Sequence, residues 1–233
     1  MKLYLIGKPR LEWTAFAEFA RDEGLPQAEQ YMIEPPSDGE TIAEVAGRIC
    51  YMSFGRGRRT NAEYLGHIIS QGHFSVLEHA NWTFIITGVS RSLTHELVRH
   101  RHFSFSQLSQ RYVDHVDAKF IVPDKLADTG LADEWQAYVY TARALYAKLS
   151  ESLEHSKVST AERKRIHGMA RSVLPEATET KLVITGNART WREFIQKRAS
   201  AAADAEIRTL AGEILKALVR EAPSMFGDLT EAV

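Results

Sequence analysis

Residues 80–88, ANWTFIITG, alternate along their length, and this alternation decides the fold class. Trp82, Phe84 and Ile86 fall on one side, and Thr83, Ile85 and Thr87 on the other. Successive side chains of a β-strand point to opposite faces, so this is a strand with one face in a core. The residues that follow change period. Positions 90–101 read as a helix that delivers a basic motif. Three more segments read as strands: 2–6 (KLYLI), 118–122 (AKFIV, stopped by Pro123) and 181–186 (KLVITG).

Helices lie between these strands. After a turn-rich connector at 34–40 (EPPSDGE), Thr41-Ile-Ala-Glu44 has capping-box spacing and opens a helix to about 49. Asn61 caps a helix that Gly72 ends, and the basic, glycine-broken stretch 54–60 (FGRGRRT) reads as a mobile loop. The clearest helix is 132–155, with Trp135, Tyr138, Val139, Ala142, Leu145, Tyr146, Leu149 and Leu153 on one stripe. Ser159-Thr-Ala-Glu162 starts another, which runs to Leu174-Pro175; Asn187 caps the next, and the last spans about 204–221. Helices and non-consecutive strands mix, with no repeat and no linker long enough to part domains. The expectation is an α+β fold, a mixed or antiparallel sheet flanked by helices, in a single domain over 1–233.

The chain has 233 residues and a formal net charge of −1, which speaks against general nucleic-acid binding. No apolar run is long enough for a transmembrane helix, so no membrane partner is expected. A single cysteine, Cys50, precludes an internal disulfide and suits the cytoplasm. It follows the apolar face of a helix, so core packing is expected rather than a nucleophile.

Against that neutral background, residues 99–112, RHRHFSFSQLSQRY, stand out. Arg99, Arg101 and Arg111 join His100 and His102, with Ser104, Ser106, Ser109, Gln107 and Gln110 between them, and no acidic residue occurs from Leu97 to Val113. Unpaired arginines repel, and guanidinium forks match phosphate geometry, so an anionic ligand is the simplest partner. The plainer alternative is a solvated basic loop. A serine hydrolase is disfavoured because no G-x-S-x-G is present and no carboxylate is near to orient a histidine.

Five of the nine histidines lie between His73 and His102, but no metal site is expected. In THELVRH, His95 and His100 are five apart, about 140° around a helix, and no Cys or Asp completes a ligand set. GHFSVLEH (72–79) brackets a turn with His73, Ser75, Glu78 and His79. Asn187-Ala-Arg189 sits at a helix start, where free N–H groups suit an anion. Arg171, Arg189, Arg192 and Arg198 add cations, Arg171 and Arg198 each beside an otherwise apolar face.

Arg99-His100-Arg101, seven residues, then Ser109 is the RHR-x7-S signature, and the chain resembles the flavin-dependent thymidylate synthases. The resemblance continues in GHFSVLEHA (72–80), SRSLTHELVRHRH (90–102), ARSVLPEATET (170–180) and TGNARTWREFIQKRAS (185–200), covering about 41 to 222. It implies reductive methylation of dUMP to dTMP, with methylenetetrahydrofolate as the one-carbon donor and FAD reduced by NADPH. It also implies an α+β homotetramer with active sites shared between subunits.

Position by position, the resemblance assigns dUMP to Glu96, Leu97, Val98, Arg99, Gln107, Leu108, Ser109, Gln110, Arg111, Arg171 and Arg198. It assigns FAD to His73, Ser75, Arg99, His100, Arg101, Gln107, Asn187, Ala188, Arg189 and Glu193. Arg198 matches the arginine that polarises the uracil. Uracil C5 is a poor nucleophile, and a guanidinium stabilising charge on the ring substitutes for the cysteine of the other thymidylate synthase family. Glu193 stands where the family pattern has His or Asn near the flavin, and Ser106 and Gln107 replace Asn and Glu of some relatives. Two further function classes are a flavin- or nucleotide-binding module without turnover and an RNA-binding protein. The latter would need a broad basic face with aromatic stacking.

Overall fold

The computed structural model describes residues 1–25, 37–56, 60–153 and 158–232. Residues 34–36 of the expected connector, 57–59 of the expected loop and 154–155 of the long helix lie outside the described residues. Four strands, β1 (Lys2–Gly7), β2 (Asn81–Ser90), β3 (Ser104–Gln107) and β4 (Glu179–Asn187), form one antiparallel sheet in the order β1-β2-β4-β3. Helices account for most of the rest, so the fold is α+β. The chain divides into two compact units. The first comprises Met1–Lys2, Ile86–Arg99 and Phe105–Val183; the second comprises Leu3–Ile85, His100–Ser104 and Ile184–Val233.

The second unit holds α1 (Trp13–Asp22), α2 (Asp38–Ile49), α3 (Asn61–Ser70) and, further along the chain, α7 (Ala188–Arg198), α8 (Ala205–Glu221) and α9 (Pro223–Phe226). Its core is aromatic. Trp82 meets Phe226 edge to face at 5.7 Å between ring centroids, and Phe84 meets Trp191 at 5.3 Å. Such pairs add about 0.5–1.5 kcal/mol to the burial of their rings. A smaller cluster joins Phe16, Ala20 and Phe54.

Two helix starts differ from expectation. The capping box of α2 is Ser37 with Glu40, not Thr41 with Glu44, so positions 38–40 of the expected connector are helical. Both frames satisfy S/T-x-x-E spacing; the earlier one adds a turn and frees Glu40 Oε1 to accept the Ser224 N–H at 2.6 Å. Thr60, with Glu63, caps α3 in place of Asn61. The Asn61 amide instead donates to Glu44 Oε2 at 2.8 Å and to the Glu40 carbonyl at 3.1 Å. Glu44 is thereby built into a buried network. Arg48, 2% exposed, donates from Nε to Glu44 Oε1 at 2.6 Å, and its Nη1 binds the Ser53 and Arg56 carbonyls. Cys50 caps the C-terminus of α2 and is exposed, contrary to the expected core placement; its Sγ faces the Ala46 carbonyl at 3.5 Å.

The first unit holds α4 (Arg91–Leu97), α5 (Ala132–Leu153) and α6 (Thr160–Ala170). Ile86, Val89, Leu93, Leu97, Val139, Tyr146, Ile166 and Leu182 are buried. The stripe of α5 is narrower than its sequence pattern: Val139, Ala142 and Tyr146 are buried, while Tyr138 is 60% and Leu145 44% exposed. The expected strand at 118–122 is a single antiparallel bridge, Phe120 to Thr178, flanked by bonds from Ile121 N to Ala177 O and from Glu179 N to Lys119 O. Pro123 and the Arg143 bond to the Ala118 carbonyl leave it no room to extend.

Candidate active site

Helix α4 is capped by the Ser90 hydroxyl, which accepts the Leu93 N–H at 2.9 Å, and it stops at Leu97 rather than near Arg101. Continuing it would stack Arg99, His100, Arg101 and His102 at a helix end with no acidic residue four positions back on Arg101 or His102. It would also expose Phe103, which is buried against Trp191 at 4.4 Å and Phe194 at 6.0 Å. The chain therefore turns, with Phe103 N–H bonded to the His100 carbonyl. A Cβ at Gly186 would overlap the Phe103 ring, so only glycine lets that ring lie against β4. Arg99 belongs to the first unit, and His100 to Ser104 belong to the second.

In the second unit, α7 carries Phe194 and Arg198 four residues apart, on one face. Both meet His100: the Phe194 ring packs edge to face at 5.2 Å, and Arg198 Nε donates to His100 Nε2 at 3.1 Å. An Nε2 that accepts a hydrogen bond belongs to a neutral imidazole protonated at Nδ1. Burial, then the charges of Arg198 and Lys197, hold His100 below the usual histidine range, with Glu193 opposing. Glu193 pairs with Lys197, one turn on, and this hydrogen bond holds its carboxyl below the usual range.

Asn187 caps α7 as expected, its Oδ1 accepting from both N and Oγ1 of Thr190 at 2.9 Å. The free amides expected there are partly consumed, because Ala188 N–H also donates to the Ala80 carbonyl. Arg189 pairs with Glu78 at 2.6 Å, both half-exposed. Such a pair is worth at most about 1 kcal/mol, so it opens at little cost. His73, Ser75 and Arg101 are exposed. Arg192 is not a free cation: it is buried and grips Asp228 through both Nη atoms at 2.6 Å, as well as the Met225 carbonyl.

The first unit gathers the other assigned residues. Gln107 Nε2 donates to Thr94 Oγ1 at 3.0 Å and Thr180 Oγ1 at 3.3 Å, which leaves its carbonyl oxygen for a further partner. Leu97 is fully buried, so only its backbone can reach a ligand, whereas Val98 and Arg99 are exposed. Leu108 N–H bonds to the Lys181 carbonyl, and Ser109 Oγ accepts the Arg111 N–H. Gln110 is buried with its Nε2 unpartnered. Arg111 lies along α6 beside Gly168, and Arg171, three residues on, shares that face. Lys164, four residues back, donates to the Tyr112 hydroxyl; that bond and the Lys164 charge pull the phenol below its usual range.

Arg91, which sequence reasoning missed, lies in the same unit, as a neighbour of Arg171. Its Nη1 is buried without a partner, and burial, then the neighbouring Arg171, depress its basicity while Glu176 opposes. The signal was an arginine at the first position of a helix, where the helix dipole disfavours a cation unless an anion is near. Arg91 neighbours Arg171, Arg111 lies beside the helix that leads to Arg171, and among the described residues Arg91 Nη1 and Gln110 Nε2 are buried donors without a partner. Such donors match the oxygens of a phosphate.

The chain matches the family model for thymidylate synthase complementing protein over residues 31–224. The chain belongs to that family. It is 51% identical over 198 residues to the flavin-dependent thymidylate synthase of Mycolicibacterium gilvum (strain PYR-GCK), covering 82% of this chain and 79% of the relative. It is 50% identical over 202 residues to that of Mycobacterium sp. (strain KMS), covering 82% and 80%. The Mycobacterium tuberculosis (strain ATCC 25177 / H37Ra) protein of the same name is 50% identical over 198 residues, covering 82% and 79%. Within the chain, the residues that the resemblance assigns to dUMP, other than Arg198, fall in the first unit. Those assigned to flavin other than Arg99 and Gln107 fall in the second. Among the described residues no helix is long and apolar enough to cross a membrane.

Proposed function

We propose that this chain is a flavin-dependent thymidylate synthase, converting dUMP to dTMP with methylenetetrahydrofolate as one-carbon donor and NADPH as reductant through FAD. Bound flavin supplies the hydride chemistry; the chain binds, orients and polarises. Arg91, Arg111 and Arg171 take the dUMP phosphate, with Ser109 and the Gln110 amide beside them. Gln107, anchored on Thr94 and Thr180, offers its carbonyl oxygen to the nucleotide or the flavin. Glu96 to Arg99 line the nucleotide site, Leu97 through its backbone. His73, Ser75, His100, Arg101, Asn187, Ala188 and Arg189 hold the flavin, and Glu193 reaches it only through backbone, since its carboxylate is committed to Lys197.

The observation that carries the chemistry is the Arg198–His100 pair. A neutral imidazole orients the guanidinium without cancelling its charge. A fixed cation of this kind stabilises negative charge as it develops on the uracil and needs no thiol at C6. Cys50, exposed at the end of α2, is left out of the reaction. In this reading the chain is a single domain that works as a cytoplasmic homotetramer with shared active sites, without nucleic-acid or membrane partners. Purified protein should carry flavin absorbance, oxidise NADPH in a dUMP-dependent way, and yield dTMP when methylenetetrahydrofolate is supplied. Absence of dTMP from flavin-loaded protein would sink the reading.

A further inference from the structure

The first unit contains a cleft of about 450 Å³ between α5 and the segment 118–126. None of the residues assigned to dUMP or flavin lines it, so it stands apart from the turnover reading. Phe120, Val122, Trp135 and Val139 give it apolar and aromatic walls. Lys119 and Arg143 line it too, and no lining residue is a carboxylate. The acids near by in sequence, Asp124, Asp128, Asp133 and Glu134, do not reach it. Among the described residues neither Lys119 nor Arg143 has an ion-pair partner.

Arg143 is held in place without being neutralised. Its guanidinium carbon lies 5.1 Å from the centroid of the Tyr140 ring, and Nη1 donates to the Ala118 carbonyl at 3.4 Å. The rest of the guanidinium is available to a planar anion, which it recognises as a fork. Clefts of about 300–1,000 Å³ hold small ligands, with apolar walls supplying area and a few polar groups fixing orientation. Apolar walls, two unpaired cations and no acid specify a ligand with a flat apolar body and a negative group.

We propose that this cleft binds a small aromatic carboxylate, its rings against Trp135 and Phe120 and its carboxylate on Arg143, with Lys119 beside it. The test is calorimetric titration of the full-length native protein with 1-naphthoate, with dUMP present at saturation. Expected are saturable binding at one site per chain and affinity at least about ten-fold weaker for the neutral 1-naphthamide. Arg143→Gln should lose about ten-fold and Lys119→Gln several-fold, both with unchanged dTMP formation. If Arg143→Gln fails to fold, the Lys119→Gln loss and the amide comparison decide. Three results would each overturn the proposal: no saturable binding, as when a second copy of the chain covers the cleft; equal affinity for acid and amide; or naphthoate binding unchanged in the variants.

Discussion

Replacing Arg198 by alanine separates its work in the reaction from its work in the fold. The structural loss includes the hydrogen bond from Nε to His100 Nε2 at 3.1 Å, with a charged donor in a half-buried setting. Such bonds are worth about 1.5–3 kcal/mol. A domain stable by about 5–15 kcal/mol remains more than about 99% folded after a loss near the lower end of that range. The functional loss should be far larger. Removing one preorganised donor from a site of developing charge costs about 10²–10³ in kcat. The variant should therefore keep its flavin absorbance and its unfolding transition while dUMP-dependent dTMP formation falls at least about 100-fold. A second readout comes from His100. Burial is the first cause of its lowered pKa and Arg198 the next, so an NMR titration of the variant should place the imidazole higher than in wild type, yet still below the ordinary range. Turnover within a few-fold of wild type would refute the assignment of Arg198, and so would an activity loss that merely tracks lost flavin.

The same structure sets four further expectations. Glu44→Ala leaves Arg48 buried without its carboxylate and should cost about 3–5 kcal/mol in urea unfolding; a loss under about 1 kcal/mol would mean that the network is not holding α2. Cys50→Ala, at an exposed cap, should leave turnover near normal and stability within about 0.5 kcal/mol; a folded but inactive variant would restore a thiol mechanism. Arg91→Ala should raise the KM for dUMP at least about ten-fold with little change in flavin content, and an unchanged KM would remove Arg91 from the phosphate seat. The folded pKa of His100 lies below its unfolded value of about 6.5, so the unfolded chain binds more protons between the two. The stability contributed by neutral His100 is thus present above about pH 6.5 and is lost as pH falls through the folded pKa. Wild type should lose more stability than His100→Asn between about pH 7 and about pH 5, and parallel losses would contradict this.

The sequence disclosed some elements better than others, and the differences have physical causes. β2, β4 and α8 were legible because alternation or helical period coincides with burial, as for Trp82, Phe84 and Ile86. The cap at Asn187 was legible because a single polar side chain decides it. The start of α2 was not: two overlapping S/T-x-x-E frames compete, and the winner depends on Ser224, which lies 184 positions away. The segment 118–122 has strand composition, but a strand needs a partner of matching length, and only one bridge forms. Of the arginines singled out in the carboxyl-terminal half, local sequence could not tell that Arg192 is committed to Asp228, 36 positions on. Nor could it show that Arg198 faces His100, 98 positions back.

The contact between Phe103 and Gly186 ties two distant positions into a single hereditary choice. A methyl group at 186 would evict the ring, and the chain from His100 to Phe103 would lose the aromatic seat that fixes where the imidazole points. A smaller residue at 103 would tolerate alanine at 186 but would leave a void against Trp191, at about 3–5 kcal/mol for full truncation. Neither position can drift alone without a less stable intermediate. A library that varies the two together should recover far more active clones than one that varies either separately.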